Sequence, residues 1–147
     1  MYKKILSGGD IVIGILVVTH GEFAHEIIKS GELIIGPQSD YKTLGLLQGD
    51  SIDKFKEDVE QAIKMLNDGD GVLVFVDFYG GSPFNAAALG MHKLSNDVNL
   101  ECIIGVNLPM ILEAFLSRDS YNLQELKKYC LKIGIDSIKD LKEEMKS

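Results

Sequence analysis

Basic residues are scarce in this chain of 147: Lys and Arg number 15 against 22 Asp and Glu, the formal charge is −7, and Arg118 is the only arginine. A surface that tracks a nucleic-acid backbone needs a cationic face, so nucleic acid is excluded as the expected partner. Cysteine is sparse as well. Cys102 and Cys130 have neither the close spacing of metal ligands nor the density of a disulfide framework, and Cys102 falls inside the apolar run Leu100 to Val106. Two buried thiols in a reducing compartment are expected. No apolar run approaches the roughly 18 residues of a membrane span. The early lysines, Lys3 and Lys4, precede no hydrophobic signal region with a cleavage site, so a cytoplasmic location is expected. Internal repeats, low-complexity segments and interdomain linkers are missing too.

What is there is an alternation of two periodicities. A hydrophobic content of 46% supports one domain with its own core over residues 11–147, and the first ten residues, MYKKILSGGD, read as a loose extension. Val- and Ile-rich runs at 11–18, 72–76 and 102–106 predict strands covered on both faces, with a weaker strand from Lys42 to Leu47. Between them Phe23, Ile27, Ile28, Ile34 and Ile35 share one helical face. Ile52, Phe55, Val59, Ala62, Ile63 and Leu66 form a second stripe after Asp50-Ser51. Ser82 as N-cap and Pro83 at the first helical position predict a third helix, and Pro109 repeats the device. Asn122 with Glu125 predicts a capped helix carrying Leu123, Leu126, Tyr129, Cys130 and Ile133 up to Gly134. The segment Ile135 to Leu141 fits either a short strand or a helix, and a frayed end is expected from Lys142 to Ser147.

Alternating strands and helices imply an α/β fold, a flavodoxin-like doubly wound parallel sheet of strand order 2-1-3-4. In that order the first and third strands are neighbours, the winding direction reverses between them, and ligands bind beyond their carboxyl ends. Two polar residues fall there. The first apolar run breaks into Thr19-His20-Gly21, and the run Val72 to Val76 breaks into Asp77, followed by Phe78-Tyr79-Gly80-Gly81-Ser82-Pro83.

A carboxylate beside a histidine accepts one ring N–H and leaves the other nitrogen's lone pair free for attack or proton removal. On this reading His20 and Asp77 are an oriented nucleophile or base with its orienter; a strand-end histidine bonded to a helix cap stays open beside it. The Gly80-Gly81-Ser82 turn presents backbone amides and a hydroxyl at a helix N-terminus, an anion site. It is no P-loop, since no Gly-Lys-Ser/Thr follows, and no acidic cluster suggests a magnesium site; neither metal nor cofactor is expected. His25 and His92 read as surface histidines, and Arg118 as structural or as an oligomer contact, because the helix before it leads away from His20.

Val17-Val18-Thr19-His20-Gly21, Val76-Asp77-Phe78-Tyr79-Gly80-Gly81-Ser82-Pro83-Phe84-Asn85-Ala86-Ala87 and Gly105-Val106-Asn107-Leu108-Pro109-Met110 together resemble the IIA component of the mannose-family (mannose/fructose/sorbose) phosphoenolpyruvate-dependent sugar phosphotransferase system. The resemblance covers nearly the whole chain from Ile11 onward. It implies a phosphotransferase with a phosphohistidine intermediate: His20 accepts a phosphoryl group on Nε2 from phosphorylated HPr and passes it to a IIB component, which serves a membrane IIC/IID complex. It further implies that Asp77 holds Nδ1–H, that Ser82 and the third helix's amides receive the phosphate oxygens, and that Thr19 and Gly21 flank them. A homodimer with exchanged C-terminal antiparallel strands is implied, with Ser137-Ile138-Lys139-Asp140-Leu141 as that strand. A free-standing IIA that meets IIB by diffusion is expected, since no Ala/Pro-rich linker follows.

Three other functions compete. A hydrolase triad of Ser82, His20 and Asp77 lacks the Gly-x-Ser-x-Gly elbow. A phosphorylation-sensing regulatory module, and the phosphocarrier of a dihydroxyacetone kinase, share fold and histidine with the carrier reading; the Gly-Gly-Ser-Pro-Phe-Asn stretch favours the sugar system.

Overall fold

The computed structural model describes residues 11–146; the expected extension over residues 1–10 lies outside them. Among the described residues are four strands and six helices, alternating as far as β4: β1 (Gly14–His20), α1 (Phe23–Ile35), β2 (Tyr41–Leu46), α2 (Ile52–Leu66), β3 (Val72–Val76), α3 (Gly81–Leu94), β4 (Leu100–Ile104), α4 (Leu108–Ser117), α5 (Leu123–Asp136) and α6 (Leu141–Glu144). All strand pairs are parallel and the sheet order is β2-β1-β3-β4, as the alternation predicts.

Each buried strand feeds two cores, because successive side chains point to opposite faces of a sheet. Ile13, Ile15, Val17, Leu73 and Phe75 meet Ile28 of α1, Ile111 of α4 and Leu126 of α5 on one face. Leu16, Val18, Val72, Val74 and Val76 meet Val59 and Ile63 of α2 and Ala86 and Ala87 of α3 on the other. The result is a three-layer doubly wound domain. In register, Val18 of β1 pairs with Val76 of β3, so the residues that follow these two positions leave the sheet side by side.

The helix starts follow local chemistry in part. Ser51 accepts from Lys54 N–H at 3.2 Å, and Asn122 and Glu125 form a complete capping box. Pro109 differs from expectation: Asn107 is the cap, accepting from Met110 N–H at 3.3 Å, and Pro109 takes the second helical position. β1 starts three residues later than its apolar run. Gly14 pairs with Val72, the first residue of β3, so Ile11 to Ile13 have no ladder to join. β4 closes at Ile104 instead of residue 106, because Gly105 turns at φ +93° and the amides of Gly105 and Val106 both donate to Val76 O, at 2.8 and 3.3 Å.

Two expectations about the rest of the chain resolve differently. Arg118 is structural: its guanidinium donates to Ile13 O (3.3 Å), Asp40 O (3.1 Å) and Ser39 O (2.7 Å) and lies 5.0 Å from the Phe115 ring centroid. It ties the lower ends of β1 and β2 to α4, away from His20. The segment Ser137 to Leu141 is not a strand in the single chain. α5 runs on to Asp136, residues 137–140 are irregular, and the Asp140 carboxylate caps α6 by accepting from Lys142 and Glu143 amides at 2.9 and 3.2 Å. A lone extended segment has nothing to pair with, whereas the cap satisfies two amides within the chain. Among the described residues no helix is long and apolar enough to cross a membrane.

Candidate functional site

The β1–β3 register brings His20 and Asp77 together at the switch point of the sheet. Asp77 Oδ2 lies 2.8 Å from His20 Nδ1 and accepts from the His20 backbone N–H at 2.9 Å, while Oδ1 accepts from Phe78 N–H at 3.1 Å. A carboxylate only accepts, so in the neutral imidazole Nδ1 carries the proton and Nε2 keeps its lone pair. The Asp77 side chain is 12% exposed and that of His20 47%. One partner is thus enclosed and fixed, and the other reaches toward solvent.

The free nitrogen faces α3. A Cβ built on Gly81 would lie 3.5 Å from His20 Nε2 and 3.3 Å from Cε1, and the residue has φ +83°, so only glycine holds this turn without strain against the imidazole. The N-cap is Gly80, not the expected Ser82, and it offers no side chain to cap the first turn. Ser82 is therefore the second helical residue, half-buried, and Pro83 the third. The amides of Gly80, Gly81 and Ser82 belong to the unpaired set at a helix start, and Pro83 contributes none because it lacks an N–H. Donors without a cap, at the positive end of the helix dipole and beside Nε2, form a seat for an anion.

Thr19 and Gly21, expected to flank that anion, do other work. Along β1 the side chain of Thr19 points to the face opposite that of His20. It is fully buried; its hydroxyl donates to His20 O at 3.0 Å and accepts from Ala24 N–H at 2.9 Å, joining the strand end to the start of α1. The Gly21 amide is spent on Leu46 O at 2.8 Å. The turn after His20 sits so close to β2 that a Cβ on Gly45 would fall 1.9 Å from Gly21 O. Gly45 was not foreseen as part of the site, and an isolated glycine inside a predicted strand was the available signal.

Phe78 was missed as well. Its ring centroid lies 5.4 Å from that of the His20 imidazole, at an interplanar angle of 35°. Tyr79 packs on Phe84, with ring centroids 4.7 Å apart and planes tilted by 42°. The other histidines, His25 and His92, are exposed and stand on the faces of α1 and α3. Cys102 and Cys130 both have thiols pushed up to about 12 by burial, which makes them poor nucleophiles.

The arrangement is an exposed nucleophilic nitrogen, an enclosed orienting carboxylate and an open anion seat. The family model described as the PTS system fructose IIA component matches residues 14–130. The chain is similar to the PTS system mannose-specific EIIAB component of Escherichia coli, 32% identical over 133 residues that cover 90% of this chain and 40% of that protein. It thus spans about two fifths of the length of that relative. It is 30% identical over 115 residues to the PTS system fructose-specific EIIA component of Bacillus subtilis, covering 78% of this chain and 77% of that one. Among solved structures, phosphotransferase system component EIIA from Streptococcus agalactiae matches with a TM-score of 0.82 at 28% identity, over 89% of this chain and 98% of the other.

Proposed function

Because the chain belongs to the IIA family of the mannose-type sugar phosphotransferase system, we propose that it carries a phosphoryl group on His20 Nε2, taking it from phosphorylated HPr and giving it to a IIB component. The observation that supports the reading is the His20–Asp77 contact: Asp77 Oδ2 lies 2.8 Å from Nδ1, which in the neutral imidazole leaves the Nε2 lone pair free beside the start of α3.

In the forward step the Nε2 lone pair attacks phosphorus, the N–P bond of the donor phosphohistidine breaks, and the donor imidazole leaves with the electron pair. The acceptor ring then bears a proton on Nδ1 and a phosphoryl group on Nε2, and its positive character is offset by the Asp77 carboxylate. The phosphoryl oxygens carry the charge of a loose transition state and lie against the amides of Gly80, Gly81 and Ser82 and the Ser82 hydroxyl. Positioning and fixed dipoles suffice for such a transfer. Thr19 and Gly21 act one step back, by holding the His20 backbone and the turn after it. Donation to IIB repeats the same displacement in reverse roles.

The reading sets the reaction in the cytoplasm, where HPr and the IIB component meet the carrier, and the membrane IIC/IID complex takes part only through IIB. A homodimer belongs to it. Among the described residues no strand pairs with the outer edge of β4, and Ile135, Ile138 and Leu141 are 68%, 78% and 73% exposed. Exchange of the C-terminal segment would cover both.

The test is incubation with enzyme I, HPr and phosphoenolpyruvate, followed by localisation of the modification. An acid-labile phosphate on His20, absent from His20→Ala, is the expected result. Label on the exposed His25 or His92, or no label, overturns the reading.

A further inference from the structure

The Asp77 contact fixes one atom of the His20 ring and leaves its direction undetermined. The torsion that swings an imidazole is broad, so a ring bonded only at Nδ1 can pivot about that bond and carry Nε2 away from α3. A second contact is needed to set the plane. The Phe78 ring supplies it, 5.4 Å from the imidazole centroid and tilted by 35°. The tip of the phenyl, Cζ, also comes within 3.7 Å of the Cβ position of Gly81, the same position that lies 3.5 Å from Nε2. Imidazole, phenyl and the first residue of α3 therefore converge on one point.

Core packing does not explain this placement, because Phe78 is 55% exposed. A large apolar side chain left half in water at a loop tip gains little from burial there. Its backbone, in contrast, is committed to the site: Phe78 N–H holds Asp77 Oδ1 at 3.1 Å. One residue thus restrains the carboxylate with its amide and the imidazole with its ring.

We propose that Phe78 is a positioning residue for phosphoryl transfer, confining the His20 imidazole so that Nε2 stays directed at the open amides of α3. The proposal rests on His20 being the phosphoryl carrier. Phe78 acts through the orientation of the nucleophile, so its loss lowers the rate of the chemical step. A misplacement of the acceptor by a fraction of an ångström to 1 Å is expected to slow transfer about 10-fold to 100-fold.

Two donors separate this role from docking of a protein partner. Phosphorylated HPr must bind the surface around the site. Phosphoramidate needs no protein surface; its P–N bond breaks, ammonia leaves and the same Nε2–P bond forms. With Phe78→Ala the maximal rate from phosphorylated HPr is expected to fall at least about tenfold at unchanged KM, labelling by phosphoramidate to slow in parallel, and Phe78→Tyr, which keeps the ring, to restore both. Because the side chain is half in solvent, the melting temperature stays at the wild-type value. An increase in KM at unchanged maximal rate, with phosphoramidate labelling unaffected, would make Phe78 a docking contact and overturn the proposal, as would wild-type rates with both donors. Failure of the wild-type protein to become labelled on His20 by either donor would instead sink the carrier reading beneath it.

Discussion

Replacing Asp77 separates orientation from folding. Its carboxylate receives three donors, His20 Nδ1–H at 2.8 Å, His20 N–H at 2.9 Å and Phe78 N–H at 3.1 Å. Asparagine keeps the shape and loses the charge. With its oxygen toward His20 the amide still accepts from Nδ1–H and from the backbone, at the cost of setting its NH2 against Phe78 N–H. With its NH2 toward His20, Nδ1 must become the acceptor, the proton moves to Nε2, and the nucleophile is gone. Each arrangement gives up one backbone donor, Phe78 N–H in the first and His20 N–H in the second, and only the first keeps the Nδ1–H tautomer; in that arrangement the nucleophile survives. What is lost is the charge that steadies the ring once Nε2 is bonded to phosphorus. Hydrogen bonds to charged groups exceed neutral ones by about 1–1.5 kcal/mol, and that difference corresponds to a rate lower by roughly 5-fold to 15-fold. Asp77→Ala removes the orienter altogether, and a loss of about 100-fold is expected. The three donors then find water at the rim of the site, so unfolding free energy drops by no more than about 2 kcal/mol. Single-turnover quench-flow with radiolabelled phospho-HPr, alongside urea denaturation, measures both quantities. Transfer by Asp77→Ala at the wild-type rate would refute the reasoning.

Three further outcomes follow from the geometry. Gly81→Ala places a methyl 3.3 Å from His20 Cε1 at φ +83°; about 1–2 kcal/mol of backbone strain and a displaced imidazole should lower both urea midpoint and transfer rate, and retention of both would remove Gly81 from the site. Arg118→Met leaves three backbone carbonyls at the bottom of the sheet without their guanidinium; a loss of about 3 kcal/mol in stability is expected with the transfer rate of the folded protein unchanged, and a selective loss of rate would show that Arg118 serves the site. Burial raises the thiols of Cys102 and Cys130 to about 12, so thiolate is scarce near neutral pH and grows only as the pH approaches that value. Reaction of the folded protein with Ellman's reagent at pH 8 should therefore be far slower than after unfolding in urea, and equal rates would contradict the burial.

The winding order and the pairing of His20 with Asp77 were legible because each rests on long-range pattern: buried runs of Val and Ile broken at one end by a polar residue. Strand limits were less so. The apolar run of β1 begins at Ile11, but pairing begins where β3 can answer it, at Gly14 opposite Val72. The start of α3 misled because Ser82-Pro83 is a good cap and first turn in isolation; two glycines at positive φ move the helix start upstream, with Gly81 against the His20 ring. Thr19 was read by adjacency to His20 in sequence, whereas alternation along a strand sends neighbouring side chains to opposite faces. Phe78 was invisible, since an exposed aromatic two residues past a strand carries no periodicity that marks its neighbour. The tail was ambiguous for a thermodynamic reason: among the described residues Ser137 to Leu141 has no strand partner, and the Asp140 carboxylate satisfies two amides of α6 locally.

The measurement that bears most directly on the account is the position of the phosphate on the His20 ring, read by nitrogen–phosphorus coupling in NMR of the ¹⁵N-histidine-labelled protein after phosphorylation through enzyme I and HPr. The account predicts a single phosphohistidine, at His20, with phosphorus on Nε2 and the proton still on Nδ1. Phosphorus on Nδ1 would contradict it, because that nitrogen is the one Asp77 holds.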